Sequence, residues 1–189
     1  MKVFRGLAWS FALLCGFVLP ATAQLAVYGE ATGSSLQFQN TPHMFGGTFG
    51  LYYTKPVGPV AIGPDFRGVM VKRGGSDGSN NDQKLDEGQF GIRVSAGPKV
   101  LPFSFTPYAE ALVGLGYWRG GVNVARQDKN HALMQLVVGA DVPIYRAVEW
   151  RVIEFSYARV GAQPGFINPI SVSTGFEIRL PHANFTPRR

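Results

Sequence analysis

Single charges recur along this chain among small and apolar residues. Asp65 and Arg67 stand two residues apart, and so do Glu177 and Arg179. Arg93, Glu110 and Asp141 stand alone, with Glu30 and Glu154 in similar settings. A spacing of two puts both members of a pair on one face of a strand. Opposite charges on such a face can pair across an enclosed space. Buried charges are tolerable only when paired or solvated. The expected chemistry of Asp65, Arg67, Arg93, Glu110, Asp141, Glu177 and Arg179 is therefore a structural charge network. Glu110 with Asp141 could be read as an acid–base pair. Pairing with Arg67, Arg93 or Arg179 is the simpler use of both.

Other constellations fall short of a reaction. His43, His131 and His182 lie far apart in sequence, in expected loops, strand edges or the tail. A zinc site needs three or four convergent ligands. A His-Ser-acid hydrolase needs its nucleophile within reach of its base, and no serine sits two positions from His131. Asp77, Ser79, Asn81 and Asp82 offer oxygen ligands, but the glycine and late glutamate of a calcium loop do not line up. Gly114-Leu115-Gly116 has no helix start after it and is not a dinucleotide loop. No enzyme activity, metal or cofactor is expected.

The elements that must hold the charges begin after an export signal. Lys2 and Arg5 form a short positive region, and Leu7 to Leu19 is apolar apart from Ser10 and Gly16. Ala21 and Ala23 then give the small-x-small pattern of a cleavage site. Residues 1–23 are expected to be a cleaved signal peptide, with Gln24 first in the mature chain. The single cysteine, Cys15, falls inside that leader, so neither a disulfide framework nor a thiolate metal site is expected. No later segment approaches the 18 or so consecutive apolar residues of a spanning helix. Yet the chain is 46% hydrophobic and only 16% charged, where soluble domains average about 25% charged. The net charge of +6 is scattered singly, whereas nucleic-acid binding needs a clustered basic patch. Nucleic acid is not an expected partner.

Alternation with a period of two, the signature of a strand, runs through the rest. Phe90, Ile92, Val94, Ala96 and Pro98 oppose Gln89, Gly91, Arg93, Ser95 and Gly97. Ile170, Val172, Thr174, Phe176, Ile178 and Leu180 oppose Ser171, Ser173, Gly175, Glu177 and Arg179. The same holds for Val60–Val71, Pro107–Tyr117 and Met134–Val142, and more loosely for Leu25–Gly33, Met44–Lys55 and Val148–Val160. In the last of these, Glu149, Arg151 and Glu154 do not share a face under strict alternation, which a bulge would reconcile. Short connections at 55–58, 99–104 and 143–147 alternate with longer ones at 32–44, 74–88 and 120–130, and 161–168 is intermediate. The polar face mixes glycines with the charges, which suits an interior only wide enough for side chains. Tyr52, Tyr53, Tyr117, Trp118, Trp150, Phe155 and Tyr157 cluster near strand ends, where membrane barrels carry aromatic girdles.

Together these features predict an all-β, eight-stranded, antiparallel, up-and-down transmembrane β-barrel over 24–180, with a tail at 181–189. The layout resembles the small bacterial outer-membrane β-barrel proteins of the OmpA-like and OmpX types. The final strand, Ser173 to Leu180, resembles that family's assembly signal: a polar residue, a glycine two later, then alternating apolar residues. Ser173, Gly175, Ile178 and Leu180 carry it. The resemblance implies outer-membrane localisation, with outer-membrane lipid and the outer-membrane assembly machinery as partners. The favoured function is structural or surface-interacting and non-enzymatic, with loops 74–88 and 120–130 available to a partner. One alternative is a narrow pore for ions or small solutes lined by Arg67, Arg93, Glu110 and Glu177. A second is a soluble, secreted, lipocalin-like binder with its apolar faces turned inward.

Overall fold

The computed structural model describes residues 24–36, 43–73, 83–96, 105–119, 129–162 and 165–180. The expected signal peptide and tail lie outside these residues. The strands are β1 (Gln24–Leu36), β2 (Met44–Val57), β3 (Val60–Arg73), β4 (Gln83–Ala96), β5 (Thr106–Arg119), β6 (Lys129–Tyr145), β7 (Val148–Ala162), β8 (Gly165–Ile167) and β9 (Pro169–Leu180). Eight are long, and β8 is a three-residue strand paired only with the end of β7. Each of β1 to β7 pairs antiparallel with the next, β7 pairs with β9, and β9 returns to β1. The sheet is a closed eight-stranded barrel, so no long strand keeps an open edge. That closure is what a hydrocarbon surround requires.

Alternation decides which way each side chain faces. Phe45, Phe66, Phe90, Met134, Leu136 and Phe176 are each about half exposed or more on the outer wall. Asp65, Arg93, Glu110, Asp141 and Glu177 are buried inside. This disfavours the soluble lipocalin-like alternative, which needs the opposite phase. On β2 the outward series runs from Phe45 to Lys55. Ten strand steps span about 33 Å, or about 25 Å of height at a tilt of ~40°, the height of a lipid-facing band.

Several boundaries differ from the sequence expectation. Gln83–Gly88 and Lys129–Asn130 belong to strands rather than loops. The long connections therefore shrink to 74–82 and 120–128, outside the described residues. Most of 161–168 is paired, because β7 runs on to Ala162 and β8 folds back along it. Tyr52 faces inward rather than joining a girdle, and Trp118 packs against the interior.

Two hairpins end in two-residue turns, Gly58-Pro59 and Arg146-Ala147. Gly58 takes φ of +63°, and the ring of Pro59 fixes its own φ near −65°. Positive then negative is the type II′ pattern, which matches the twist of a hairpin. The β7 bulge is present: the register against β9 shifts between Arg151 and Glu154. That shift restores Glu149, Arg151 and Glu154 to the same interior face.

Candidate functional site: the barrel lumen

The lumen is filled by two layers of different chemistry. The lower layer is built from arginines, carboxylates and tyrosines. Arg93 on β4 lies between two rings, 4.2 Å from the Tyr52 centroid and 3.6 Å from that of Tyr108. Arg151 on β7 lies 4.7 Å from Tyr108 and 4.1 Å from Tyr28. Arg67 on β3 completes the series 5.8 Å from Tyr28. The result is an alternating stack that curls back on itself: Tyr52, Arg93, Tyr108, Arg151 and Tyr28, whose ring lies 6.4 Å from that of Tyr52, with Arg67 beside Tyr28. Each buried contact of this kind contributes up to about 2 kcal/mol.

Carboxylates lock the stack at its edges. Glu110 bridges Arg67 and Arg93 at 2.8 and 2.6 Å. Asp141 bridges Arg93 and Arg151 at 2.5 and 3.1 Å. Arg151 also reaches Glu30 at 2.6 Å and Glu177 at 3.0 Å, and Arg67 pairs with Glu154. The tyrosine hydroxyls donate as well: Tyr108 to Glu154 at 2.7 Å, Tyr28 to Asp65 at 3.0 Å, and Tyr52 to Glu177. Nearer the turn rim, Arg179 pairs with Glu149 at 2.6 Å and Glu177 at 3.2 Å. Planar guanidinium groups suit this setting because each offers five donors in a fixed fork and stacks on aromatic faces.

Glycines make room for the rings. A side chain at Gly50 would run into Tyr28, and one at Gly139 would run into Tyr108. Others lie against backbone instead: a side chain at Gly63, Gly91, Gly114 or Gly175 would run into a carbonyl of the neighbouring strand.

The upper layer, nearer the long connections, is mainly apolar, with Glu87 buried opposite Val69 and accepting a 2.6 Å hydrogen bond from Gln89. Met44, Val69, Val71 and Leu85 form one cluster, with Trp118 against it. Leu133, Ala158 and Val160 form another, and Ile167 of β8 packs against both. Buried hydroxyls on β1, β2 and β9 lie beside this layer, with Thr32 bonded to Thr48 at 2.7 Å and Ser173 at 3.0 Å, and Ser171 to Ser34 at 3.0 Å. These hydroxyls partner one another, and no histidine joins them among the described residues.

All seven residues of the expected charge network face the lumen. Arg67, Arg93, Glu110, Asp141 and Glu177 meet in the stack, Arg179 sits below them, and Asp65 touches it only through Tyr28. Sequence reasoning missed Arg151, the most connected member, and the tyrosines. Tyr28-x-Glu30 and Tyr108-x-Glu110 carried the signal, since a spacing of two shares a face. Of the expected assembly residues, Ser173 and Gly175 face inward, and Ile178 and Leu180 face outward. Oxygens of Asp141, Glu149 and Glu177 lie within 4.8 Å of one another. Arg93, Arg151 and Arg179 supply their countercharge. The arrangement binds itself together, each tyrosine hydroxyl and guanidinium of the stack meeting a carboxylate.

The fold and lumen define a small, closed, outer-membrane-type β-barrel with a filled interior. Among solved structures, it is similar to neisserial surface protein A, at 10% identity and a TM-score of 0.57 over 84% of this chain and 97% of that one. It is also similar to Ail, the attachment invasion locus protein of Yersinia pestis, solved with the heparin analogue sucrose octasulfate. That match has 9% identity and a TM-score of 0.50, over 82% of this chain and 97% of that one. These likenesses are of fold. No protein-family model and no curated protein sequence matches this chain.

Proposed function

We propose that this protein is an outer-membrane β-barrel with a structural or surface-interaction role and no catalytic step. The observation that carries the proposal is the filled lumen inside an apolar wall. The wall suits a bilayer, and paired guanidiniums, carboxylates and tyrosines fill the described lumen, so contact with other molecules falls to the connections on the rim. In this reading residues 1–23 direct export and are removed. Ser173, Gly175, Ile178 and Leu180 present the last strand to the assembly machinery. Residues 74–88 and 120–130 include the segments a surface partner would meet. Among proteins of like fold, one is named a surface protein and another an attachment protein that binds a sulfated sugar, which agrees with a role at the surface. The narrow-pore alternative is disfavoured by the same filled lumen.

Gel migration of the protein from washed outer membranes, with and without boiling, tests the proposal. A heat-dependent shift in that fraction is expected, because a closed barrel resists detergent until heated. Recovery in the soluble periplasm with no shift would overturn it.

A further inference from the structure

The outer wall carries a charge conflict at the loop rim. Register sets Lys72 of β3 directly opposite Lys84 of β4. Like charges directly across a pair of strands are destabilising. Lys84 is offset in part by Asp86, 2.5 Å away on the same strand. Lys72 is exposed, and no acid pairs with it among the described residues. A fold that keeps such a pairing gains from an anion placed between the two ammonium groups.

Position identifies the anion. Lys72 continues the outward column that holds Phe66 and Met70, both about half exposed, and its partner on the other side is Phe45, 68% exposed. Both lysines thus face sideways at the upper edge of the lipid-facing band. They do not face up from the rim or into the lumen. Groups at that level meet lipid headgroups, and juxtamembrane lysines gain from anionic ones. We infer that Lys72 and Lys84 form a binding site for the phosphate of an anionic lipid in the leaflet on the loop side. This rests on the membrane-barrel reading above.

The test places the full barrel in phosphatidylcholine nanodiscs and titrates in diphosphorylated lipid A, with dephosphorylated lipid A as the matched probe. Wild-type protein should prefer the phosphorylated lipid. K72A/K84A should weaken that preference by about 30-fold, since each surface lysine contributes similarly. Lys55→Ala, at the opposite rim, should leave it unchanged. A heat-dependent gel shift of each variant confirms a closed barrel, and K72Q/K84Q provides a milder second pair. Equal lipid preference in wild type and in either folded double variant would overturn the site. So would an equal loss in K55A, or displacement of the lipid by soluble sucrose octasulfate at equal concentration, which would point to a soluble polyanion. Failure of wild-type protein to enter nanodiscs at all would instead sink the membrane-barrel reading.

Discussion

Arg151 and Asp65 mark opposite ends of the energetic range within the lumen. Arg151 is fully buried and bonds Asp141, Glu30, Glu154 and Glu177. Truncating it leaves several carboxylates facing one another in a dry space. Breaking a buried pair by removing one partner typically costs about 3–5 kcal/mol, so Arg151→Ala should lose at least that much stability in urea. Asp65 is just as buried, yet its bond is to the Tyr28 hydroxyl, and its Oδ2 has no donor among the described residues. An amide keeps an acceptor for Tyr28 and removes a charge that no arginine meets within salt-bridge distance. Asp65→Asn should therefore change stability by less than about 1 kcal/mol. If Asp65→Asn proved as damaging as Arg151→Ala, the charges would not be partitioned as the geometry implies.

At the scale of elements, the turn between β6 and β7 holds strain that its counterpart avoids. Both turns have two residues, but the left-handed position is Gly58 in one and Arg146, with φ of 41°, in the other. A side chain there costs about 1 kcal/mol relative to glycine. Arg146→Gly should raise the urea midpoint by a corresponding amount with an unchanged slope. A lowered midpoint would mean that the stacking of Arg146 on Tyr145, 5.4 Å from the ring, outweighs the backbone cost. The long strands were legible because a period of two survives uninterrupted in them: Phe90, Ile92 and Val94 against Gln89 and Arg93 admit one phase only. In β7 the bulge breaks that period between Arg151 and Glu154, so strict alternation could not place Arg151 in the network. Tyr52 and Tyr53 are adjacent and alike in type, and composition alone does not say which one faces in. Ile167 was missed because the three residues of β8 are too few to display a repeating alternation and are flanked by Pro164 and Pro169, which read as loop.

Taken as a whole, the molecule closes its lumen twice, in series. The lower seal is the guanidinium–tyrosine stack, and the upper is the apolar layer in which Ile167 touches clusters from both sides of the barrel. Resistances in series imply that opening one seal leaves the other shut. Tyr108→Ala removes the ring between Arg93 and Arg151 without orphaning a charge on an arginine. Leu85→Ala with Ile167→Ala thins the upper layer, at a cost of about 2–5 kcal/mol for the buried Leu85 and less for the partly buried Ile167. In planar bilayers, wild type and either set alone should pass no steady current, while the combined variant should conduct weakly. Among the described residues the lumen buries Glu30, Asp65, Glu87, Glu110, Asp141, Glu149, Glu154 and Glu177 against Arg67, Arg93, Arg151 and Arg179. Rings of acidic side chains favour cations, so that current should be cation-selective. Conductance from the Tyr108→Ala protein alone would show that the apolar layer is not a seal. A silent combined variant that still shows the heat-dependent shift of a closed barrel would show that the seals lie elsewhere in the lumen.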